Sequence, residues 1–360
     1  MIKYLGSKRT LTPLLETIAG ALPVRTAADM FAGTTRVGQA LRAAGIEVVS
    51  NDTASYSEQL GIAYVEADGR LDRRSLREQL AHLAALPGSD GYVTRTFSRQ
   101  ARYFHPDNGR RIDAIRDEIE RLGPGRLERG VLLTSLLEAA DRVDSTVGVQ
   151  MAYLKRWAPR ALRPLELREP RAVPGPAGTA VRRDANQLAG ELDGIDLAYL
   201  DPPYNQHSYF GNYHVWETLA RGDRPDHYGV ACKRVDTRDN RSAYNSRRRA
   251  WDALADLVRR LTATWLVVSF SDEGFHRPGR LLELLAERGH TGAIAVDSRR
   301  YVGARIGIHS PAGRRVGEIS HLRNTELVFV CGPSRALLGR VLARAARHGA
   351  VVDGPALLSA

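Results

Sequence analysis

A chain of 360 residues, 43% hydrophobic and 26% charged, is long enough for one large domain or two ordinary ones and has the apolar content of a globular protein with a sizeable core. No apolar run approaches transmembrane length, the first residues lack a signal-peptide core, and Cys232 and Cys331, the only cysteines, exclude a disulfide framework or a cysteine zinc cluster and fit a reducing cytoplasm. A net charge of +11 favours a polyanionic partner, although only four of the 52 basic residues are lysine, so part of the surplus reflects a bias towards arginine.

The chain opens Met1-Ile2-Lys3-Tyr4-Leu5-Gly6-Ser7-Lys8, a glycine-serine loop between an aromatic ring and a lysine, ahead of a helix predicted over Leu11 to Ala21. A short strand then enters the turn Asp29-Met30-Phe31-Ala32-Gly33-Thr34-Thr35, and a helix over Val37 to Ala44 leaves it. Gly33 lets backbone approach a ligand closely, and the helix N-terminus offers free N–H groups. The Gly-x-Gly-x-x-Gly of dinucleotide-binding folds is absent. A second strand, Ile46 to Ser50, ends in Asn51-Asp52. A carboxylate there suits the ribose hydroxyls of an adenosine cofactor, the role expected of Asp52 over that of a helix cap.

From about residue 68 to 170 the strand–helix alternation stops. Apolar residues three and four apart predict amphipathic helices over 71–86, 110–122 and 127–140. Between the first two, Arg95, Arg99, Arg102 and Tyr103 belong to a basic run interleaved with aromatics, a pattern suited to phosphate contacts plus base stacking. These four are expected DNA contacts, with the rim of a helical unit as the alternative. The reading divides the chain into a domain of 1–67 and 171–360 and an inserted helical unit of 68–170.

After a proline-rich passage, Asp184 lies 17 residues before Asp201. The four apolar residues Leu197 to Leu200 predict a buried strand that runs into Asp201-Pro202-Pro203-Tyr204. The prolines end the strand and fix the backbone, setting an aspartate and an aromatic ring at the sheet edge where α/β proteins bind ligands. The chemistry this suits is transfer to a planar amino group. The exocyclic amine of adenine or cytosine is a poor nucleophile because its lone pair is delocalised into the ring. A carboxylate and a backbone carbonyl accepting its two hydrogens push it towards a tetrahedral nitrogen, while an aromatic ring stacks on the base.

Asn205 to Glu217 is dense in His, Tyr and Asn and reads as a pocket wall, with His207 and Tyr209 towards DNA. His207 and His214 have no cysteine or carboxylate cluster beside them in the sequence to complete a zinc site, so no metal is expected. Residues 224–249 are basic and turn-rich and read as a mobile loop near DNA. Helices over 248–261, 279–288 and 334–347 and strands over 265–269, 293–301 and 325–330 complete the sheet, and an arm over 302–324 brings Arg305 and Arg323 as further DNA contacts.

These motifs, in this order, resemble those of the alpha-group, Dam-like adenine-specific DNA methyltransferases. Asp201 to Tyr204 resembles their motif IV, Tyr4 to Lys8 their motif X, Asp29 to Thr35 their motif I with Thr35 in place of the last glycine, and Asp184 the acid of their motif III. The resemblance implies a mixed seven-stranded α/β sheet with helices on both faces, the fold of S-adenosylmethionine-dependent methyltransferases, carrying a helical target-recognition insertion. It implies that Tyr4 and Lys8 touch the methionine end of S-adenosyl-L-methionine and that Asp184 holds its adenine amine, with Phe31, Gly33 and Asp52 completing the cofactor site. Asp201 and the Pro202 carbonyl would accept the hydrogens of the target amine, Pro203 would stiffen the turn and Tyr204 would stack on the flipped base. The expected partners are double-stranded DNA and a cognate restriction enzyme. Methylation of cytosine N4, RNA adenine or protein glutamine, and an inactive DNA-binding specificity subunit, stay open as alternatives.

Overall fold

Apolar runs flanked by turn residues form a sheet whose central strands are covered on both faces. The computed structural model describes residues 2–271, 274–299 and 323–352, with only the backbone of 298, 299 and 323. In chain order the strands are β1 (Thr26–Asp29), β2 (Glu47–Asn51), β3 (Thr179–Val181), β4 (Leu197–Leu200), β5 (His227–Tyr228), β6 (Lys233–Arg234), β7 (Trp265–Ser271), β8 (His290–Arg299), β9 (Arg323–Gly332) and β10 (Ala350–Val352). Among the described residues the main sheet has eight strands in the order β10-β8-β9-β7-β4-β1-β2-β3, while β5 and β6 form a separate hairpin. Pairing is parallel from β3 to β7 and antiparallel from β7 through β9 and β8 to β10. The sheet is therefore mixed as expected, with eight strands in place of seven. The extra one is the three-residue edge strand β10, too short to leave a periodic signal.

Strand β4 shows why the middle of the sheet is apolar throughout. Leu197 and Tyr199 face a core built with α1 (Thr12–Ala19), α2 (Arg36–Ala43) and α12 (Arg335–Ala345). Ala198 and Leu200 face the opposite core, built with α7 (Ala185–Ala189), α10 (Ala250–Arg260) and α11 (Pro278–Ala286). The chain moves from β1 outward to β2 and β3, then returns to pair β4 on the other side of β1. This reversal opens a crevice at the carboxyl ends of β1 and β4, the place where α/β sheets bind ligands.

A third core lies beyond this sheet. It joins α3 (Ser55–Gly61) to α4 (Arg73–Ala85), α5 (Pro106–Leu122) and α6 (Arg126–Arg142), and continues past α8 (Tyr209–Asn212) into α9 (His214–Arg221) through Tyr213, Trp216 and Leu219. The helical unit thus draws on residues either side of 68–170. Glu217 fastens it: its buried carboxylate accepts from Ser55 N (2.8 Å) and Tyr56 N (3.4 Å) at the start of α3, which has no side-chain cap of its own.

Residues 224–249, expected as a mobile loop, are anchored. The β5–β6 hairpin buries Arg234 between Asp223 (2.7 Å) and Asp236 (2.8 Å), and Tyr244 is in the core. The arm expected over 302–324, with Arg305, lies largely outside the described residues, and Arg323 is described only as backbone in β9.

Helix α6 crosses the segment after α3 at Gly130, where an added Cβ would meet Ile62 Cγ2 at 2.3 Å. Gly130→Val should therefore overpack this contact and lower the unfolding free energy by about 1–3 kcal/mol, measurable by urea denaturation.

Candidate active site

Strand β4 delivers Asp201 to the carboxyl edge of the sheet, where three separate parts of the chain meet it. Ser269, on the neighbouring β7, donates to Asp201 Oδ1 (3.0 Å) and is itself 2.8 Å from the Tyr199 hydroxyl. Lys8, from the N-terminal loop, brings its ammonium to 3.1 Å from Asp201 Oδ1 and also bonds Glu326 of β9. Burial pushes the Asp201 carboxyl up and Glu326 adds to that rise, while Lys8 and the Ser269 hydroxyl pull it down. Burial works equally against the Lys8 charge, but Asp201 and Glu326 outweigh it and hold the ammonium protonated. Asp29, at the end of β1, is pushed up to about 8 by burial and by its neighbours Asp201 and Asp52, so near neutral pH its protonated form predominates.

Beside this cluster lies a cavity of about 540 Å³ that brings together Tyr4, Phe31, Gly33, Asp52, Asp184, Asp201 and Pro203. Gly33 has φ +50, and an added Cβ would lie 3.0 Å from Tyr4 Cε1, so any other residue there would be strained and would crowd the tyrosine ring. Thr35, standing where the resembling motif has glycine, has φ 59 and ψ 20. It holds the left-handed turn that glycine would adopt freely, with its hydroxyl accepting from Gln39 Nε2 (2.9 Å). The Tyr4 ring stacks on Tyr213 (4.5 Å) and Tyr209 (5.4 Å), and its hydroxyl is 3.2 Å from that of Tyr56. Phe31 meets Tyr244 edge-on at 5.2 Å.

The Asp52 carboxylate accepts from Gly33 N (2.8 Å) and Ala54 N (3.0 Å), so it ties the glycine turn to the start of α3 while facing the cavity. Burial raises its pKa against the pull of these bonds. Asp184 caps α7 through one oxygen, accepting from Asn186 N (2.9 Å) and Gln187 N (3.2 Å). Its Oδ2 makes no hydrogen bond among the described residues. The lining sets five carboxylates, Asp52, Asp184, Asp201, Glu217 and Asp239, among four arginines, Arg182, Arg183, Arg221 and Arg241; the carboxylates suit the hydroxyls and positive charge of a ligand, and Phe31 offers a face for a flat ring. Tyr204 packs on Phe270 at 6.3 Å, and its carbonyl accepts from Phe275 N (2.9 Å), which fixes the turn.

Some expected residues stand elsewhere. Tyr103, an expected DNA contact, is 1% exposed, with its hydroxyl donating to the Gln150 (2.8 Å) and Ala231 (2.9 Å) carbonyls. Its ring belongs to the helical core, as do Phe97 and Phe104, so the aromatics of that stretch are packing residues. Arg99 pairs with Asp90 at 2.6 Å, and Arg102 bonds the Lys155 carbonyl and lies over Trp157 at 4.7 Å. Arg95 is exposed, and so is His207, whose N–H closes a turn on Asn205 Oδ1 (3.0 Å). Tyr209 is in the stack with Tyr4 and lines the cavity. Lys8, expected at the methionine end of the cofactor, pairs with Asp201 and lines a small recess together with Tyr4, Phe31 and Gly33. The Glu326 and Ser269 contacts had no local motif to announce them.

Comparison with known proteins agrees with this arrangement. A family model described as D12 class N6 adenine-specific DNA methyltransferase matches residues 4–268. The chain is 32% identical over 314 residues to the type II methyltransferase M.NlaIII of Neisseria lactamica, covering 83% of this chain and 92% of that one. It is 30% identical over 291 residues to M.CviAII of Paramecium bursaria Chlorella virus 1, covering 76% and 83% respectively. Over 326 residues it is 29% identical to the modification methylase LlaI of Lactococcus lactis subsp. lactis, of which it spans about half, 51%, against 83% of its own length. The fold, the acid-lined crevice and these matches agree: the chain belongs to the D12 class N6 adenine-specific DNA methyltransferases.

Proposed function

We propose that this chain methylates the N6 amine of a target adenine in double-stranded DNA, using S-adenosyl-L-methionine, after the base has been turned out of the duplex. The observation that carries the reading is Asp201 at a strand end, held beside Lys8 and opening on an acid-lined cavity. Asp52 and Asp184 would hold the ribose and adenine of the cofactor, Phe31 would lie on its ring, and Tyr4 with Gly33 would wall its methionine end. The sulfonium, when bound, supplies an electrophilic methyl group. The Asp201 carboxylate and the Pro202 carbonyl accept the two amine hydrogens, which localises the nitrogen lone pair. Once the new N–C bond forms, the nitrogen carries a surplus proton, and the Asp201 carboxylate takes it. Tyr204 stacks on the extruded base, an interaction of about 1–3 kcal/mol that offsets part of the unstacking cost. The names of the relatives, type II methyltransferases and modification methylases, support a place in restriction-modification beside a cognate endonuclease.

Asp201→Ala should reduce methyl transfer by roughly 10²–10³ while S-adenosylmethionine binding persists. Tritium transfer to unmethylated plasmid DNA, paired with calorimetry, reads both; near wild-type turnover in a folded mutant would remove Asp201 from the mechanism. Asp52→Ala should weaken cofactor binding about tenfold to a hundredfold, through lost charge-assisted hydrogen bonds worth ~1.5–3 kcal/mol. An unchanged dissociation constant would leave Asp52 with its turn-capping role alone.

The pH dependence follows from the neighbours of Asp201. The reaction needs its carboxylate ionised, so activity falls as pH drops through a pKa that burial has raised. Lys8→Met removes the charge that lowers that pKa and should move the acid limb of kcat to higher pH. Glu326→Gln removes a charge that raises it and should move the limb the other way. Limbs that move together, or not at all, in a pH–rate profile of the two variants would contradict this electrostatic ordering.

A further inference from the structure

We propose that a second, basic recess beside the active site grips the phosphates of the DNA strand that carries the target base, through Lys233, Arg241 and Arg249. The proposal rests on the DNA methyltransferase reading of the neighbouring cavity and adds the path of the strand.

The recess has a volume of about 540 Å³ and lies between the residues after Tyr204, the β5–β6 hairpin and the segment 241–249. Its lining contains Lys233, Arg241 and Arg249 and no Asp or Glu, whereas the adjoining cavity sets five carboxylates against four arginines. The two share Ser208, Arg241, Ser242 and Asn245, so they adjoin along one wall. The recess is thus basic throughout, while the carboxylates, Asp201 among them, are confined to the neighbouring cavity of mixed charge. A flipped nucleotide needs this division, because its base enters the catalytic cavity while its phosphates stay outside on the strand.

The cations of the recess are also free to act. Several arginines elsewhere are neutralised in place, as Arg234 is by Asp223 and Asp236, Arg99 by Asp90 and Arg224 by Asp117. Arg241 and Arg249, with Arg247 and Arg248 beside them, make no ion pair among the described residues. The Lys233 ammonium lies 3.1 Å from Met151 Sδ, a weak acceptor that leaves its charge uncompensated.

The segment that carries the arginines is fixed at two points. The Tyr244 hydroxyl donates to Asn186 Oδ1 (2.7 Å), while its ring meets Phe31. Asn245 Nδ2 donates to the carbonyls of Asn205 (2.8 Å) and His207 (3.0 Å), immediately after the catalytic turn. A strand held by these arginines is therefore held in register with Asp201.

The test uses the full chain with Lys233→Ala and Arg249→Ala combined, since neither residue lines the adjoining cavity. Fluorescence anisotropy with a random-sequence duplex should show the slope of log Kd against log salt falling by about two, one for each lost phosphate contact. The KM for unmethylated plasmid DNA should rise roughly tenfold, in line with the same counterion release. S-adenosylmethionine binding should be unchanged, which shows the fold intact, and Lys233→Arg with Arg249→Lys should restore the slope. A wild-type slope in the alanine variant overturns the recess as a phosphate site. Wild-type protein that binds DNA with a steep salt slope yet transfers no methyl group overturns the reading of the active site, a failure distinct from that of the recess.

Discussion

An ionised carboxylate is a stronger acceptor than its protonated acid and can also take up a proton, and burial at a sheet edge opposes that ionisation. Asp201 stands in that conflict. Its environment resolves it with one ammonium, Lys8, and one hydroxyl, Ser269, at hydrogen-bonding distance. The neighbouring Asp29 yields its charge, since burial and the negative charge around it raise its pKa to about 8. Strand order serves the same end, because β7 and β9, brought together only by the antiparallel half of the sheet, supply Ser269 and Glu326.

Around this centre the molecule uses aromatic rings as spacers and charges as labels. Tyr4, Tyr209 and Tyr213 form a stack that holds the N-terminal loop against the glycine turn, and Leu5 N donates to the Tyr213 hydroxyl at 2.6 Å. Because Tyr213 also belongs to the helical core, the stack couples that core to the methyltransferase sheet. The loop, the sheet and the helical unit thus share one wall, and Glu217 reinforces it by capping α3 across a long sequence separation.

Much of the site was legible because its residues sit where local sequence fixes backbone shape. Leu197 to Tyr204 is strand then proline turn in consecutive positions, and Gly33 and Asp52 each follow a strand in the order a ligand-binding crevice requires. The central parallel strands read as apolar runs for the same reason. What was illegible depended on partners far away. Glu326 is a lone acid inside β9 with no pattern around it, and its meaning comes from Lys8. The stretch from Arg95 to His105 misleads because arginine beside aromatics looks alike whether the rings meet a base or a core; only burial separates the cases, and it places Phe97, Tyr103 and Phe104 inside. Asp184 behaves as the cap its helical context favours while also reaching the cavity. The basic stretch to Arg249 looked unstructured because its anchors, Tyr244 and Asn245, are single residues among turn formers.

The Lys8–Glu326 bond spans 318 positions in the chain. During synthesis on the ribosome, Lys8 emerges long before Glu326 exists, and Asp201 is made between them. The nascent chain can build the glycine turn and even β4 while the strand that will steady the lysine is still untranslated. Bringing such distant segments together carries a loop-closure entropy that is recovered only when the sheet beyond β7 forms. The Asp201 carboxylate therefore has its full set of charged neighbours only once β9 has joined the sheet, so a polypeptide that stops short of β9 would lack the complete ion cluster.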